Sequence, residues 1–293
     1  MGFNVEEYIS ERKKLVDRML SELFKDTSDS ITTLDESMRY SILAGGKRLR
    51  PVLCIASAEA VGGRAEDVLP VACAIEMIHT YSLIHDDLPA MDDDTLRRGV
   101  PTNHNVFGEA VAILAGDALL TDAFFVIAQS EISPYLVVDV IREISRAAGS
   151  KGMVRGQALD LALEGKEVSI ETVERMHYLK TGALIEASVV SGGKVGGATG
   201  DQILQLRSYS RNLGIAFQII DDVLDIEGGE DIGKSRGSDI RRKKATYPGI
   251  VGIKKAKDKA LELTLKAVSC LKDFDEKAEP LREIAFYLGG RRY

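Results

Sequence analysis

The 293 residues carry 45 acidic against 38 basic side chains, a net charge of −7, which argues against a nucleic-acid partner. An apolar share of 45% with 28% charged is ordinary for a globular chain able to bury a large core. Cys54, Cys73 and Cys270 are too few and too scattered for a disulfide framework or a zinc site, and fit a reducing cytoplasm.

Val5, Tyr8, Ile9, Leu15, Met19, Leu20 and Leu23 recur at helical spacing among charges, predicting an amphipathic helix over 4–25. Thr33-Leu34-Asp35-Glu36 reads as a capping box before a helix over 37–43, stopped by Ala44-Gly45-Gly46. After Lys47-Arg48-Leu49-Arg50-Pro51 an apolar helix covers 52–61, ended by Gly62-Gly63. The next helix begins near Asp67 and runs into Asp86, followed by a loop through Arg97-Arg98-Gly99 and Pro101-Thr102-Asn103. Apolar helices are expected over 110–129 and 136–148, parted by Pro134. Gly149, Gly152 and Gly156 would permit close helix approach. Ser169 caps a helix entering Lys180-Thr181-Gly182, where Gly182 predicts a break. Gly192-Gly193 and Gly196-Gly197 mark a turn, and Thr199 to Gln202 opens a helix toward Asp221. Gly228 to Thr246 is a polar, basic loop, and helices over 254–271 and 280–288 close the chain. No period-two alternation and no hairpin signal appears. No secretory leader is expected ahead of Glu6-Glu7, and no run of about 18 apolar residues suggests a membrane span. The expectation is an all-α fold, a single domain over 1–293 with about ten or more helices.

Asp86-Asp87-Leu88-Pro89-Ala90-Met91-Asp92-Asp93-Asp94 ends a helix that is otherwise apolar. Acid at a helix C-terminus opposes the macrodipole, so a solvated terminus competes with a bound cation as the reading. A second group, Asp221-Asp222-Val223-Leu224-Asp225, follows another apolar run, with Asp221 and Asp225 on one helix face and Gln218 spaced likewise from Asp222. Two such clusters half a chain apart suggest facing carboxylates with a polyphosphate between them, held by Mg²⁺. Basic residues beside these clusters need an anion: Lys47 and Arg50 just past Gly45-Gly46, and Arg97 and Arg98 just past the first cluster. Surface charge is the competing reading for each alone. His79 lies two helical turns before Asp86, and Lys180-Thr181 offers an ammonium and a hydroxyl. His85 reads as a core histidine satisfied by a hydrogen bond.

Gly45-Gly46-Lys47-Arg48-Leu49-Arg50-Pro51, Asp86 through Asp94 with Arg97-Arg98-Gly99, Lys180-Thr181-Gly182, and Gln218 through Asp225 with Gly233-Lys234 together resemble the trans-isoprenyl diphosphate synthases, in the same order from about Leu34 to Pro248. The bacterial-type farnesyl diphosphate synthases look closest, because their first Asp motif also carries two extra residues, here Pro89-Ala90. The resemblance implies a helical bundle around a deep cavity, a cytoplasmic homodimer, and Mg²⁺, three ions per site, with Mn²⁺ as a substitute. It assigns Asp86, Asp87, Asp92, Asp221, Asp222 and Asp225 to the metal and, with Lys180, to catalysis. Arg97, Lys180, Thr181, Gln218, Lys234 and Lys244 would hold the allylic diphosphate, and Lys47, Arg50, His79 and Arg98 isopentenyl diphosphate. No partner beyond these small diphosphates is implied.

Two rivals lack their own marks. A terpene cyclase would replace the second Asp motif with an Asn/Ser/Glu pattern, and an inactive subunit of a heteromeric synthase would lose Asp or Arg residues. Product length turns on Tyr81, five residues before Asp86, with the small Ser82 beside it. Spacing alone favours an ordinary core aromatic; in the family this position limits growth. An aromatic there beside Pro89-Ala90 implies farnesyl diphosphate, with geranylgeranyl diphosphate as the alternative.

Overall fold

Over its middle turns the helix that precedes the first Asp cluster has no polar side. Val71, Ala72, Cys73, Ala74, Ile75, Met77 and Ile78 are all buried, so this helix, α4 (Ala65–Asp86), must be wrapped by others. The computed structural model describes residues 3–25, 32–228 and 244–290. Ahead of α4 run α1 (Val5–Leu23), α2 (Thr33–Leu43) and α3 (Leu49–Glu59). After it come α5 (Asn103–Phe107), α6 (Glu109–Ala128), α7 (Pro134–Ala148), α8 (Met153–Leu163) and α9 (Ile170–His177). A five-residue π-turn (Tyr178–Gly182) leads into α10 (Ala183–Val195) and α11 (Gly200–Glu227). The chain closes with α12 (Tyr247–Val251), α13 (Ile253–Ser269), a short 3₁₀ turn and α14 (Glu279–Gly289). This is the all-α bundle that the apolar periodicity predicts.

The packing follows the apolar faces. α4 lies against α6 and α3, α10 against α3, and α11 against α13. One core gathers around α4 and α6, a second around α3, α11 and α14, and a third where α11 meets α9, α12 and α13. Tyr209 on α11 is fully buried and donates its hydroxyl to the Leu281 carbonyl at 2.6 Å, which joins α11 to α14 without stranding a polar group.

Local departures have physical reasons. The capping box is Thr32 with Asp35, one residue earlier than the pattern suggests. Helix α3 starts at Leu49 instead of residue 52, because Arg48 turns into the left-handed region (φ 49°) and ends the preceding loop there. Gly192 and Gly193 are no turn; they lie inside α10, where a Cβ on Gly192 would stand 2.0 Å from the Cys54 carbonyl oxygen of α3. The turn is left to Gly196-Gly197. A two-residue antiparallel ladder, Leu96–Arg97 with Val100–Pro101, is too short to show as alternation. α4 and α6 are long and apolar enough on average to pass for membrane spans, yet neither holds an unbroken run of 18 apolar residues: Glu76 and His79 interrupt α4, and Asp117 and Asp122 interrupt α6. α4 is a wrapped core helix. α6 packs one face on α4 and leaves Ile113, Leu114 and Phe125 at 44, 55 and 60% exposed on the other.

Candidate active site

The two Asp clusters, from two different helices, line one cavity of about 1250 Å³. α4 ends at Asp86, and the next residues fold back on it. Met91 N donates to the Leu88 carbonyl at 2.8 Å, and Asp92 N to the Asp86 carbonyl at 2.7 Å. The two extra residues Pro89-Ala90 thus supply the length of a turn that returns Asp92 beside Asp86. To the same cavity α11 presents Asp221, Asp222 and Asp225 with Gln218.

The π-turn supplies the next wall. A π-turn widens the helix by one residue, a distortion common at functional sites. Here it sends Lys180 Nζ to Asp160 Oδ2 at 2.6 Å and Thr181 Oγ1 to Gln218 Oε1 at 2.7 Å. Gln218 Nε2 continues to Asp222 Oδ1 at 3.2 Å, and Asp222 Oδ2 accepts from Tyr247 N at 2.9 Å. Two close approaches hold the turn. A Cβ on Gly156 of α8 would stand 2.2 Å from Lys180 N, and one on Gly214 of α11 would stand 2.9 Å from Gly182 Cα. Tyr178 also donates its hydroxyl to Glu186 at 2.9 Å. The predicted break near Lys180 is therefore a continuous, clamped turn.

Among the described candidates Asp86, Asp92, Asp221, Asp222, Asp225, Lys47, Arg50, His79, Arg97, Arg98, Lys180, Thr181, Gln218, Lys244, Tyr81 and Ser82 all line the cavity. Asp87 does not: it is 2% exposed and accepts from Arg97 Nε at 3.0 Å behind the wall. Lys234 lies outside the described residues. Lys244 reaches across, 3.3 Å from Asp160 Oδ2 and 3.7 Å from Asp92 Oδ1. His85 makes the hydrogen bond expected, its Nε2 3.0 Å from the Ile113 carbonyl and its ring over Gly116, but it is not a core residue: its side chain is 28% exposed and lines the cavity. The space above Gly46 belongs to the Arg98 guanidinium, whose Cζ a Cβ there would approach to 2.5 Å. That glycine serves the arginine, where the sequence suggested a direct backbone approach to phosphate.

Three residues were given no role by the sequence. Asp160, 6% exposed, draws two lysines together; burial pushes its pKa up, Lys180 and Lys244 outweigh that, and the net shift is down. Its one signal is an acid inside the helix that follows Gly156. Gln157 lines the cavity with both amide atoms buried and unpartnered among the described residues. Glu76 is the third. His79 is held neutral: burial, then Arg50, Arg98, Arg97 and Arg48 around it, drive its pKa well below the usual histidine value.

The donor set suits a hard cation. The five cavity-lining aspartates of the two clusters offer oxygen, and Asp225 Oδ2 is buried with no hydrogen-bond partner among the described residues. Yet no three His, Cys, Asp or Glu side chains among the described residues stand close enough to hold an ion unaided. Mg²⁺ takes one or two carboxylates and completes its shell with substrate phosphate and water.

A helical bundle with one cavity lined by two acidic clusters together with lysines and arginines defines a site suited to a polyanion held with cations. The comparisons give the family. Residues 31–284 match the family model described as Polyprenyl synthetase, and the chain belongs to that family. It is 46% identical over 99% of its length to "Geranylgeranyl pyrophosphate synthase, chloroplastic" from Capsicum annuum, covering 79% of that protein. It is 49% identical to "Heterodimeric geranylgeranyl pyrophosphate synthase large subunit 1, chloroplastic" from Arabidopsis thaliana, over 88% of this chain and 72% of that one. The apo crystal structure of an FPP/GFPP synthase from Zymomonas mobilis superposes with a TM-score of 0.89 at 39% identity, over 98% of this chain and 100% of that one. The chain is a short-chain prenyltransferase that elongates prenyl diphosphates.

Proposed function

We propose that the protein condenses isopentenyl diphosphate head-to-tail with allylic diphosphates and stops at geranylgeranyl diphosphate. The observation that carries the reaction is the pair of Asp clusters lining one cavity with Lys180, Lys244, Arg97 and Arg98. In this reaction the allylic C–O bond breaks and diphosphate leaves. The alkene of isopentenyl diphosphate then attacks the allylic carbon, and a proton passes to the departing diphosphate. Lys180 and Lys244, fixed by Asp160, meet the charge that develops on the leaving group. Lys47, Arg50 and Arg98 hold the second diphosphate; neutral His79 adds a hydrogen-bonding group without further charge. Met91, Met153, Val154 and Leu161 line the cavity too and keep water from the cation. Mg²⁺, three ions per site, with Mn²⁺ as a substitute, would be held by Asp86, Asp92, Asp221, Asp222 and Asp225 and, when bound, neutralises the leaving diphosphate. Asp87 joins that set only by releasing Arg97.

The C20 product rests on the relatives: both plant proteins are named geranylgeranyl pyrophosphate synthases. This replaces farnesyl diphosphate as the first expectation from the sequence. One observation still favours C15, the second reading. Tyr81 is 6% exposed, stands on the cavity wall in edge contact with His85 and narrows the apolar path below Asp86. Chromatography of the dephosphorylated products decides: mostly geranylgeraniol supports the proposal, mostly farnesol the second reading. Release of diphosphate that EDTA leaves untouched would sink both.

The exposed apolar face of α6 supports a homodimer in a reducing compartment, cytoplasm or plastid. Light scattering giving twice the 31.9 kDa chain mass is the expected result.

A further inference from the structure

Among the basic residues of the cavity wall lies one carboxylate to which the proposed function gives no role. Glu76 sits one helical turn before His79 on α4 and is 1% exposed. A charge so buried persists only with partners. Arg48 Nη1 donates to Glu76 Oε1 at 2.8 Å, and Arg98 Nη2 lies 3.7 Å from the same oxygen.

Each arginine is anchored a second time. Arg48 Nε donates to Asp17 Oδ1 of α1 at 2.9 Å, and its Nη2 to the Ile42 carbonyl of α2 at 2.7 Å. Its backbone is left-handed (φ 49°), a state a non-glycine residue keeps only where its surroundings over-determine it. Arg48 is 2% exposed and turned onto Glu76, and it borders the cavity together with Lys47 and Arg50 on either side. Arg98, also left-handed (φ 56°), lies over Gly46 and donates to the Gly45 carbonyl. One carboxylate therefore ties together the loop that presents Lys47 and Arg50 and the arginine opposite it.

We propose that Glu76 is a positioning residue for isopentenyl diphosphate, acting through Arg48 on Lys47 and Arg50 and directly on Arg98. This rests on the function proposed above. Glu76 is remote in its bonding from Lys180, Thr181 and Lys244, so its influence should fall on one substrate only.

Three variants grade the contact. Glu76→Gln keeps shape and loses charge, Glu76→Asp keeps charge and withdraws it by one methylene, and Arg48→Lys loses the fork. Steady-state kinetics with each substrate varied, thermal melting, and calorimetric binding of isopentenyl diphosphate alone are the readouts. Misplacing charge-assisted contacts by a fraction of an ångström should raise KM for isopentenyl diphosphate about tenfold or more in Glu76→Gln, and a few-fold in Glu76→Asp and Arg48→Lys. KM for the allylic diphosphate should stay within about twofold in all three, because its contacts lie on other elements. Should Glu76→Gln fail to fold, the two milder variants decide. Equal rises in both KM values, or a lower melting temperature with unchanged kinetics, would overturn the proposal and leave Glu76 a structural counter-ion. A wild type that binds isopentenyl diphosphate but condenses nothing would overturn the functional reading instead; weakened calorimetric binding in Glu76→Asp would still support the positioning role.

Discussion

Gly156→Ala puts the geometry of the π-turn to a direct test. Inside a helix this change ordinarily stabilises by about 0.5–1 kcal/mol, since alanine gives up less backbone freedom. The surroundings of Gly156 reverse that expectation. An added Cβ would stand 2.2 Å from Lys180 N, 2.4 Å from Lys180 Cα and 2.6 Å from the Leu179 carbonyl carbon, where ordinary contact begins at 3.4 Å. All three atoms are backbone, so no side chain can swing away; α8 and the π-turn must part by about 1 Å. That displacement moves Lys180 against Asp160 and Thr181 against Gln218, contacts now at 2.6 and 2.7 Å. A misplacement of about 1 Å in a positioned catalytic group costs on the order of 10²-fold in rate. The expected result is a kcat about 100-fold down with a lowered melting temperature. Gly200→Ala, where nothing lies within 4 Å, is the control and should be neutral. A Gly156→Ala enzyme that is more stable and fully active would refute the clamp.

The other predictions are briefer. Asp221→Ala should lower kcat by on the order of 10³-fold, because it removes leaving-group stabilisation, and kcat held near wild type would show that Asp221 plays no part in it. For His79 the sign follows from its depressed pKa: the native state stays neutral where the unfolded chain takes up a proton. Its contribution is therefore complete above about pH 6.5 and is lost as pH falls from there, by up to about 1.4 kcal/mol per pH unit. His79→Gln should flatten that slope in denaturant titrations between pH 5 and 6.5, and a slope unchanged from wild type would show that other groups set it. Tyr81→Ala should lengthen the products, as read by chromatography; an unchanged distribution would place the floor of the cavity elsewhere.

Much of the fold was legible because helix signals are local. Caps, glycines and apolar spacing found most elements to within a few residues, and the two Asp clusters were visible as charges that no helix end would favour. The rest depends on neighbours that the sequence does not show. Gly192-Gly193 reads as a turn until the Cys54 carbonyl of α3 is packed against it. Arg48 carries no signal in the sequence that sets it apart from the bases beside it, yet its left-handed backbone buries it on Glu76. Asp87 is indistinguishable from Asp86 in the chain; the short ladder brings Arg97 back onto it and draws it from the cavity wall.

Product length is the least local property of all. The path below Asp86 passes Tyr81 and His85 on α4, then Ile113 on α6. Tyr81 cannot move alone: its ring meets His85 edge-on, and His85 is fixed by the Ile113 carbonyl and by its seat on Gly116. Burial and the charge of Asp86 push the Tyr81 hydroxyl up to about 12, so at neutral pH it stays protonated and forms a neutral barrier. Yet Ile113 lines the cavity while 44% exposed, so one wall of the tail path is also part of the bare face of α6. In the proposed dimer whatever covers that face borders the path. A residue that reads as a C15 floor within one chain is thus compatible with a C20 product when the opposite wall is shaped by the partner subunit. The same variant separates the two cases: Tyr81→Ala in a dimer weakened at Leu114 should alter product length more than the sum of the single changes if both walls act together.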